Sequence, residues 1–457
     1  MSVCEVESGT LLLFDREMSV PRWLYTVLLR ALLPLVFVRL WLRGRQAPAY
    51  RLRWRERLGL APLRSREATG GGQVSLPFVG RPLWIHAVSV GETLAAQPLV
   101  NALRQHYQDL PLLITTMTPT GSERVRAIWG DNVLHVYAPY DVPGAIARFL
   151  ANWQPRALVV METELWPNWL AAARARGLPV MLANARLSER SAAGYARLGR
   201  ITGELMANLS VVAAQDAPTA ERFRSLGVPS AQVIQTGSLK FDISVPDEVS
   251  TEAARWRVAW TLYGRQVWVA ASTHAGEDAF MLEAHQQLRQ SHPEALLILV
   301  PRHPERFESV AQQVQAAGLT MARRSRGDVV TAETAVLLGD SMGELLCWFA
   351  LSQAAFVGGS LVATGGHNAL EPLALGVPTL TGPHFFNFEA INRELLAAGA
   401  LAVVNDAGEL ARALLALFAE PTLAQQRREA GLAVLAANRG AVARQLALLA
   451  PWLGEAA

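Results

Sequence analysis

The sequence predicts two α/β domains, each built on a parallel β-sheet, preceded by a membrane-anchoring helix. Three observations carry this expectation. The 457-residue chain exceeds the roughly 250 residues at which a single hydrophobic core stops growing. Short apolar runs alternate with longer helical patterns, which implies right-handed crossovers between parallel strands. The rhythm lapses once, over about residues 244–264, and then resumes, so the two domains join near residue 250. With 18% charged and 51% hydrophobic residues, the chain is neither disordered nor a many-span membrane protein. Cys4 and Cys347 lie far apart without ligand spacing, which excludes a disulfide framework and a structural zinc site and fits a reducing, cytoplasmic setting.

In chain order, residues 1–23 read as an N-terminal extension, with Met18 an alternative start. Residues 24–66 combine an apolar anchor with a basic segment. The run LYTVLLRALLPLVFVRLWL, residues 24–42, is long enough to cross a bilayer. It contains Arg30, Pro34 and Arg39, however, which favours an interfacial helix over a single span. Nine arginines against Glu56 and Glu67 make residues 39–67 locally +7, leaving −4 on the rest of a chain of net charge +3. Positive charge confined beside an apolar run points to an anionic inner-membrane surface, approached from the cytoplasmic face, and not to a nucleic acid polymer. No small-residue cleavage site follows, so the segment reads as an uncleaved signal-anchor.

A Gly70-Gly71-Gly72 linker opens the first α/β domain, residues 67–245. Its strands are expected at 83–88, 112–117, 133–138, 157–162, 179–184, 210–215 and 232–237. The second domain, residues 246–425, has strands expected at 267–272, 295–300, 335–340, 354–359 and 377–382. Ala/Leu-rich sequence from Ala407 onward predicts helix, with residues 426–457 a helical tail.

Ligands of open parallel sheets bind at the carboxyl ends of strands, so the residues just after each run are the functional candidates. The first run gives Ser89-Val90-Gly91-Glu92 at a helix start, where Glu92 either caps the helix or accepts a proton from a substrate hydroxyl. The fourth gives Met161-Glu162-Thr163-Glu164, one carboxylate a possible helix cap and the other functional. Lys240 is the only lysine among forty-two basic residues, a compact ammonium that meets either a substrate anion or a neighbouring acid such as Asp242. In the second domain, Pro301-Arg302-His303 suits phosphate, and Gly339-Asp340-Ser341-Met342-Gly343-Glu344 opens a helix. Gly358-Gly359-Ser360 leads through Gly365-Gly366-His367 into Asn368-Ala369-Leu370-Glu371, a glycine-rich loop whose N–H groups suit phosphate and whose glutamate suits ribose. P-loop, GxGxxG, HExxH and EF-hand patterns are absent, which leaves no sequence case for a metal.

The ordered strings IHAVSVGETLAAQPLV, TTMTPTGSERV, METELWPN, NARLSERSAAGYARLG, GSLKFDISV, STHAGED, LILVPRHPERF, GDSMGELL and AFVGGSLVATGGHNALEPLALGVPTLTGPHFFNF span nearly the whole chain. In this order they resemble the bacterial 3-deoxy-D-manno-octulosonic acid (Kdo) transferases. The resemblance implies a GT-B glycosyltransferase with two Rossmann-like domains and an interdomain cleft. It implies metal-independent, inverting transfer of Kdo from CMP-Kdo to a lipid A precursor (lipid IVA), with no cofactor beyond the donor substrate, in lipopolysaccharide biosynthesis. It further implies Glu92 as general base, Glu162 and Lys240 as transition-state stabilisers, and Pro301, Arg302, Met342, Gly343, Glu344, Asn368, Ala369, Leu370 and Glu371 as the CMP site. Competing readings are a UDP-sugar epimerase or other sugar-nucleotide enzyme, and a noncatalytic tethered nucleotide-binding protein.

Overall fold

The computed structural model describes residues 21–60 and 80–454. Cys4, Met18, the triple-glycine linker, Arg64, Arg66 and Glu67 lie outside the described residues. The chain divides into two compact units, Met1–Leu239 with Gly440–Ala457, and Lys240–Arg439.

The first unit carries seven strands: β1 (Leu83–His86), β2 (Leu112–Thr116), β3 (Leu134–Tyr137), β4 (Ala157–Met161), β5 (Val180–Ala185), β6 (Val211–Ala214) and β7 (Val233–Gln235). All pair in parallel, in the order β3-β2-β1-β4-β5-β6-β7. Both faces of this sheet are covered, which is why its strands read as continuous apolar runs and not as alternating ones. Trp84, Leu158 and Val160 pack into one core, while Leu83, Ile85 and Val159 pack into the other.

The second unit repeats the plan with β8 (Val267–Thr273), β9 (Leu296–Pro301), β10 (Met321–Arg323), β11 (Val336–Leu338), β12 (Ala354–Val357), β13 (Thr379–Thr381) and β14 (Leu401–Val403). Their order is β10-β11-β9-β8-β12-β13-β14, again parallel throughout. The strands β10 and β14 were not among those expected. Each is three residues long, and β10 ends on Arg323, whose guanidinium is buried against Asp340. The strandless interval is filled by the helix Asp247–Ala259.

The tail does not behave as one element. The helix Pro421–Asn438 packs within the second unit, and Gly440, at φ 92, turns the chain into the helix Ala441–Leu453. That last helix seals the first unit, burying Ala441, Leu449 and Leu453 against the core that holds Leu83 and Ile85.

Residues 22–43 form one helix that runs through Pro34 and belongs to the first unit. It exposes Trp23, Val27, Leu28, Leu32, Leu35, Val38 and Trp41 while Leu40 faces inward. The arginine-rich segment behind it is not uniformly outward. Arg43, Arg45, Arg51 and Arg55 are exposed. Arg57 instead is buried, its guanidinium 4.1 Å from the Tyr137 ring centroid and donating to the Met117 carbonyl at 3.0 Å. Arg53 turns inward too, donating to Glu56 at 2.7 Å and to the Ser122 hydroxyl at 2.8 Å. Two of the arginines read as a surface patch are therefore structural.

Candidate active site

The chain starts each sheet near its middle and later crosses to the other side of the starting strand, placing β4 beside β1 in the first unit and β12 beside β8 in the second, so that the strand order reverses at these two places. A crevice opens at such a reversal because the flanking crossovers leave to opposite faces. The segments leaving these four strands are therefore where chemistry should gather.

In the first unit, β1 runs into Ser89, which caps the helix Val90–His106. The Glu92 N–H donates to Ser89 Oγ at 3.5 Å, the Ser89 hydroxyl donates to Glu92 Oε1 at 3.3 Å, and the Val88 N–H donates to Oε2 at 2.6 Å. This is a variant of the capping box, with the glutamate at the third helical position but its carboxylate accepting the N–H of Val88, the residue before the cap, in place of that of Ser89. Glu92 is nevertheless more than a cap. Burial raises its carboxyl pKa to about 8; the Val88 N–H opposes the rise, and the charges of Glu164 and Glu162 add to it.

Those two carboxylates come from the end of β4. Glu162 sits at φ 57, a left-handed conformation uncommon for a residue with a Cβ. Its N–H still donates to the Ala183 carbonyl at 2.9 Å, and the Thr163 hydroxyl donates to the Arg186 carbonyl at 2.9 Å, so neighbouring structure holds the turn in place. Burial, then the charge of Glu162, raises the Glu164 pKa. Neither glutamate caps the helix Pro167–Arg174, contrary to the cap expected of one of them. That role falls to Asp141, whose carboxylate accepts the N–H groups of Asn168 at 3.1 Å and Trp169 at 2.8 Å. The first unit thus brings together Glu92, Glu162 and Glu164, three mutually repelling carboxylates at the strand reversal.

Lys240 belongs to the second unit. It is half-buried, with its ammonium 4.9 Å from the centroid of the Phe388 ring. An aromatic face attracts a cation.

The remaining predicted residues follow strand ends of that unit. Pro301 closes β9 and is buried, so Arg302 is the group there that can reach a ligand. After β11, Met342 is exposed and Gly343 adopts φ 88. Glu344 is held by Arg324 at 2.6 Å and by the Ser341 hydroxyl; burial alone would raise its pKa, but these two partners hold it below the ordinary value. Asn368 donates to Glu371 at 3.2 Å and accepts the Leu370 N–H at 3.1 Å. Ala369 and Leu370 are core residues, packed with Phe241, Val357 and Leu373. They can offer a ligand only their backbone.

The glycine-rich loop departs from expectation in one respect. The N–H groups of Gly359, Ser360 and Leu361 do not await a phosphate, because the Glu277 carboxylate already accepts all three, at 2.7, 2.9 and 2.9 Å. Glu277 also accepts the His274 N–H at 2.8 Å and is fully buried. An internal anion therefore fills the first half of the loop. What remains for a ligand lies further along, around His367 and Asn368. There the Nε2 atoms of His274 and His367 meet at 2.9 Å across the β8/β12 reversal, one donating and the other accepting. Burial, followed by the charges of His274, Arg302 and His303, lowers the His367 pKa to about 4. At neutral pH His367 is therefore uncharged, burial lowers the His274 pKa as well, and Arg302 supplies positive charge beside them. Gly359, at φ 69, admits this packing, since a Cβ there would lie 3.0 Å from the His367 ring.

Sequence reasoning assigned no role to Glu277 or Asp141. A signal existed for the first, because Gly276-Glu277 follows the first strand of its unit just as Gly91-Glu92 does. Among the described residues no group of three or more His, Cys, Asp or Glu side chains is placed to hold a metal ion.

Comparison with known proteins adds to this geometry. Residues 52–243 match the family described as 3-Deoxy-D-manno-octulosonic-acid transferase (kdotransferase). The 3-deoxy-D-manno-octulosonic acid transferase of Haemophilus influenzae is 43% identical over 94% of this chain and 99% of its own length. The Bordetella pertussis protein of the same description is 41% identical over 95% of this chain and 100% of its own length. Among solved structures, the C-terminal CMP-Kdo binding domain of WaaA from Acinetobacter baumannii is 44% identical, covering 41% of this chain and 98% of that domain at a TM-score of 0.40. A putative UDP-N-acetylglucosamine 2-epimerase from Listeria monocytogenes shares the fold, with a TM-score of 0.52 at 14% identity over 81% of this chain and 96% of its own.

Proposed function

The chain belongs to the 3-deoxy-D-manno-octulosonic acid transferase family, and from that premise we propose that it moves Kdo from CMP-Kdo to a hydroxyl of a lipid A precursor, lipid IVA, releasing CMP. The observation that carries the reading is the carboxylate group at the β1/β4 reversal. Glu92, raised to about 8, has a proton affinity matched to a general base working near neutral pH.

In this reading the acceptor oxygen attacks the anomeric carbon of Kdo as Glu92 takes its proton. The bond to the CMP phosphate breaks, the electron pair leaves with CMP, and the configuration inverts. Metal ions have no assigned role. Glu162 and Lys240 stabilise charge in the transition state, Lys240 as a compact cation for the donor's carboxylate or phosphate. Arg302, the backbone around Met342–Glu344 and the segment Asn368–Glu371 hold the nucleotide, with Ala369 and Leu370 contributing backbone alone and the Leu370 N–H instead orienting the Asn368 side chain. The reaction takes place at the cytoplasmic face of the inner membrane, where the helix Arg22–Arg43 lies in an anionic lipid surface and the acceptor is within reach. The acceptor domain at 67–245 and the donor domain at 246–425 drawn from the sequence divide these tasks, except that Lys240, whose role is toward the donor, belongs to the second unit, Lys240–Arg439.

The deciding assay follows Kdo transfer from CMP-Kdo to tetraacylated lipid A precursor without added divalent metal, with wild type and Glu92→Ala in parallel. Product from wild type and a loss of roughly 100- to 10,000-fold in the variant is the expected result. Equal product from both would remove Glu92 as the base. Failure of both, with UDP bound in preference to CMP, would instead favour the sugar-nucleotide epimerase class.

A further inference from the structure

The N-terminal helix does not leave the first unit at either end. Near its start, the Tyr25 hydroxyl donates to Asp141 Oδ2 at 2.9 Å, and the Thr26 hydroxyl shares its one proton between the Arg22 carbonyl at 2.9 Å and Asn168 Oδ1 at 3.0 Å. Toward its end, the Phe37 ring packs on Trp54 and Tyr140, with centroids 5.2 and 5.8 Å away. Tyr25 and Phe37 are separated by about 18 Å along the helix at 1.5 Å per residue. A helix held at both places lies along the unit, with its exposed apolar residues all available to lipid.

The polar contact at the start is unusual in its partners. Asp141 follows β3, is 3% exposed, and accepts three hydrogen bonds on its carboxylate, from Tyr25, Asn168 and Trp169. Its carbonyl accepts a fourth from the Asn168 side chain at 2.8 Å. Trp166, the residue preceding the helix Pro167–Arg174, provides no side-chain cap, so Asp141 satisfies N–H groups of the first turn that would otherwise stay unpaired. That turn directly continues the loop bearing Glu162 and Glu164. One buried carboxylate therefore ties the lipid-facing helix to the turn that sets the acidic loop.

We propose that Asp141 is a positioning residue which, through Tyr25 and Asn168, fixes the Glu162–Glu164 loop at a set height above the membrane. The loop is thereby registered to a hydroxyl of an acceptor that is itself anchored in the bilayer. This rests on the lipid-acceptor reading above. The helix is then more than a tether: its first turn is part of the scaffold of the acceptor site.

The test separates registration from tethering and from stability. The double variant Tyr25→Phe, Thr26→Val removes both hydrogen bonds and leaves Asp141, the helix and its apolar face intact. Kdo transfer is measured with the acceptor in phosphatidylethanolamine/phosphatidylglycerol vesicles and, separately, in detergent micelles. The expected result is a KM for vesicle-embedded acceptor raised roughly tenfold, as two modest hydrogen bonds allow. The KM for CMP-Kdo, vesicle binding and micellar turnover stay within about twofold of wild type. Asp141→Asn, which keeps an acceptor for one of the two helix N–H groups, should reproduce the split with a lower melting temperature. Equal losses in vesicles and micelles, or no loss in either, would overturn the proposal. A second arm needs no activity: in vesicle-bound wild type, the Asn168 and Trp169 amides exchange hydrogen more slowly than in the free protein, and the double variant abolishes that difference. Unchanged slowing in the variant refutes the coupling. If wild type transfers nothing, the functional reading fails while the exchange arm still decides the clamp.

Discussion

Glu92 and Glu277 occupy similar places, each after a Gly that follows the first strand of its unit, yet they find different partners. Glu277 accepts four backbone N–H groups and is fully buried, an anion consumed by the fold. Glu92 accepts only one backbone N–H and one hydroxyl, and burial raises its pKa to about 8 against those two bonds, with the charges of Glu164 and Glu162 adding to the rise. The sign of the consequence follows from linkage. Between the ordinary value of 4.5 and about 8, the folded chain retains a proton the unfolded chain has released, so stability falls as pH rises through that window. Glu92→Gln keeps the capping box, which accepts either residue. It should therefore melt higher than wild type at pH 8, by on the order of 1 kcal/mol or more, with the difference vanishing near pH 4. In wild type, kcat/KM should climb with pH to an inflection near 8, and a flat profile from pH 6 to 9 would remove Glu92 as the titrating base. Glu162 presents the complementary case, because its φ of 57 stores strain at the site. Glu162→Gly should leave the melting temperature close to wild type, the relief of strain offsetting glycine's greater unfolded-state entropy, while transfer drops by at least about tenfold. A large loss of stability would show that the carboxylate, not the backbone, is what the fold requires there.

At the scale of elements, the loop Gly358–His367 depends on Glu277 as a keystone. An amide in its place offers one oxygen to N–H groups that now use two, and turns its own N–H groups toward the rest. Glu277→Gln should cost about 1–3 kcal/mol in stability and weaken CMP binding while leaving the Glu92 pH profile unmoved. Calorimetric titration with CMP beside a melting curve checks this, and undiminished affinity would detach the loop from the nucleotide. The same loop shows where the sequence was legible and where it was not. All twelve expected strands form, because strands covered on both faces announce themselves as apolar runs such as LLITT and LLILVP. The strands β10 and β14 escaped because three residues carry too little pattern, and β10 ends on a charged side chain whose burial depends on Asp340, seventeen positions away. Candidate residues at strand ends could be found because topology alone puts chemistry there. The tasks of Glu277 and Asp141 could not, since each is defined by N–H groups brought in from distant segments: Gly359 lies 82 positions from Glu277, and Asn168 lies 27 from Asp141.

For the molecule as a whole, the charge asymmetry acquires a different meaning once burial is known. Sequence alone made nine arginines available to a membrane; among the described residues Arg39, Arg43, Arg45, Arg51 and Arg55 are exposed, whereas Arg53 and Arg57 are bound to the first unit. Arg45 and Arg51 also lie over the Trp41 ring, at 4.8 and 5.2 Å, beside the exposed apolar face of the N-terminal helix. Cation and indole at one level are what an interface between headgroups and acyl chains selects. Each such arginine near an anionic surface contributes about 1 kcal/mol, and that contribution is screened by salt. Replacing Arg43, Arg45, Arg51 and Arg55 together by Ala should therefore lower partitioning onto phosphatidylglycerol-containing vesicles by at least about 100-fold at low salt. On neutral phosphatidylcholine vesicles, where only the apolar face acts, the change should be slight, and on anionic vesicles 0.5 M salt should bring wild type down toward the variant. Arg53→Ala and Arg57→Ala should behave oppositely, lowering the melting temperature of the first unit through their lost partners His135, Ser122 and Met117 while leaving the salt dependence of vesicle binding intact. Vesicle co-sedimentation across a salt series, with the six arginines in these two groups, distinguishes a membrane patch from a structural one. A wild-type affinity indifferent to both salt and lipid charge would assign membrane association to the apolar face of the helix alone.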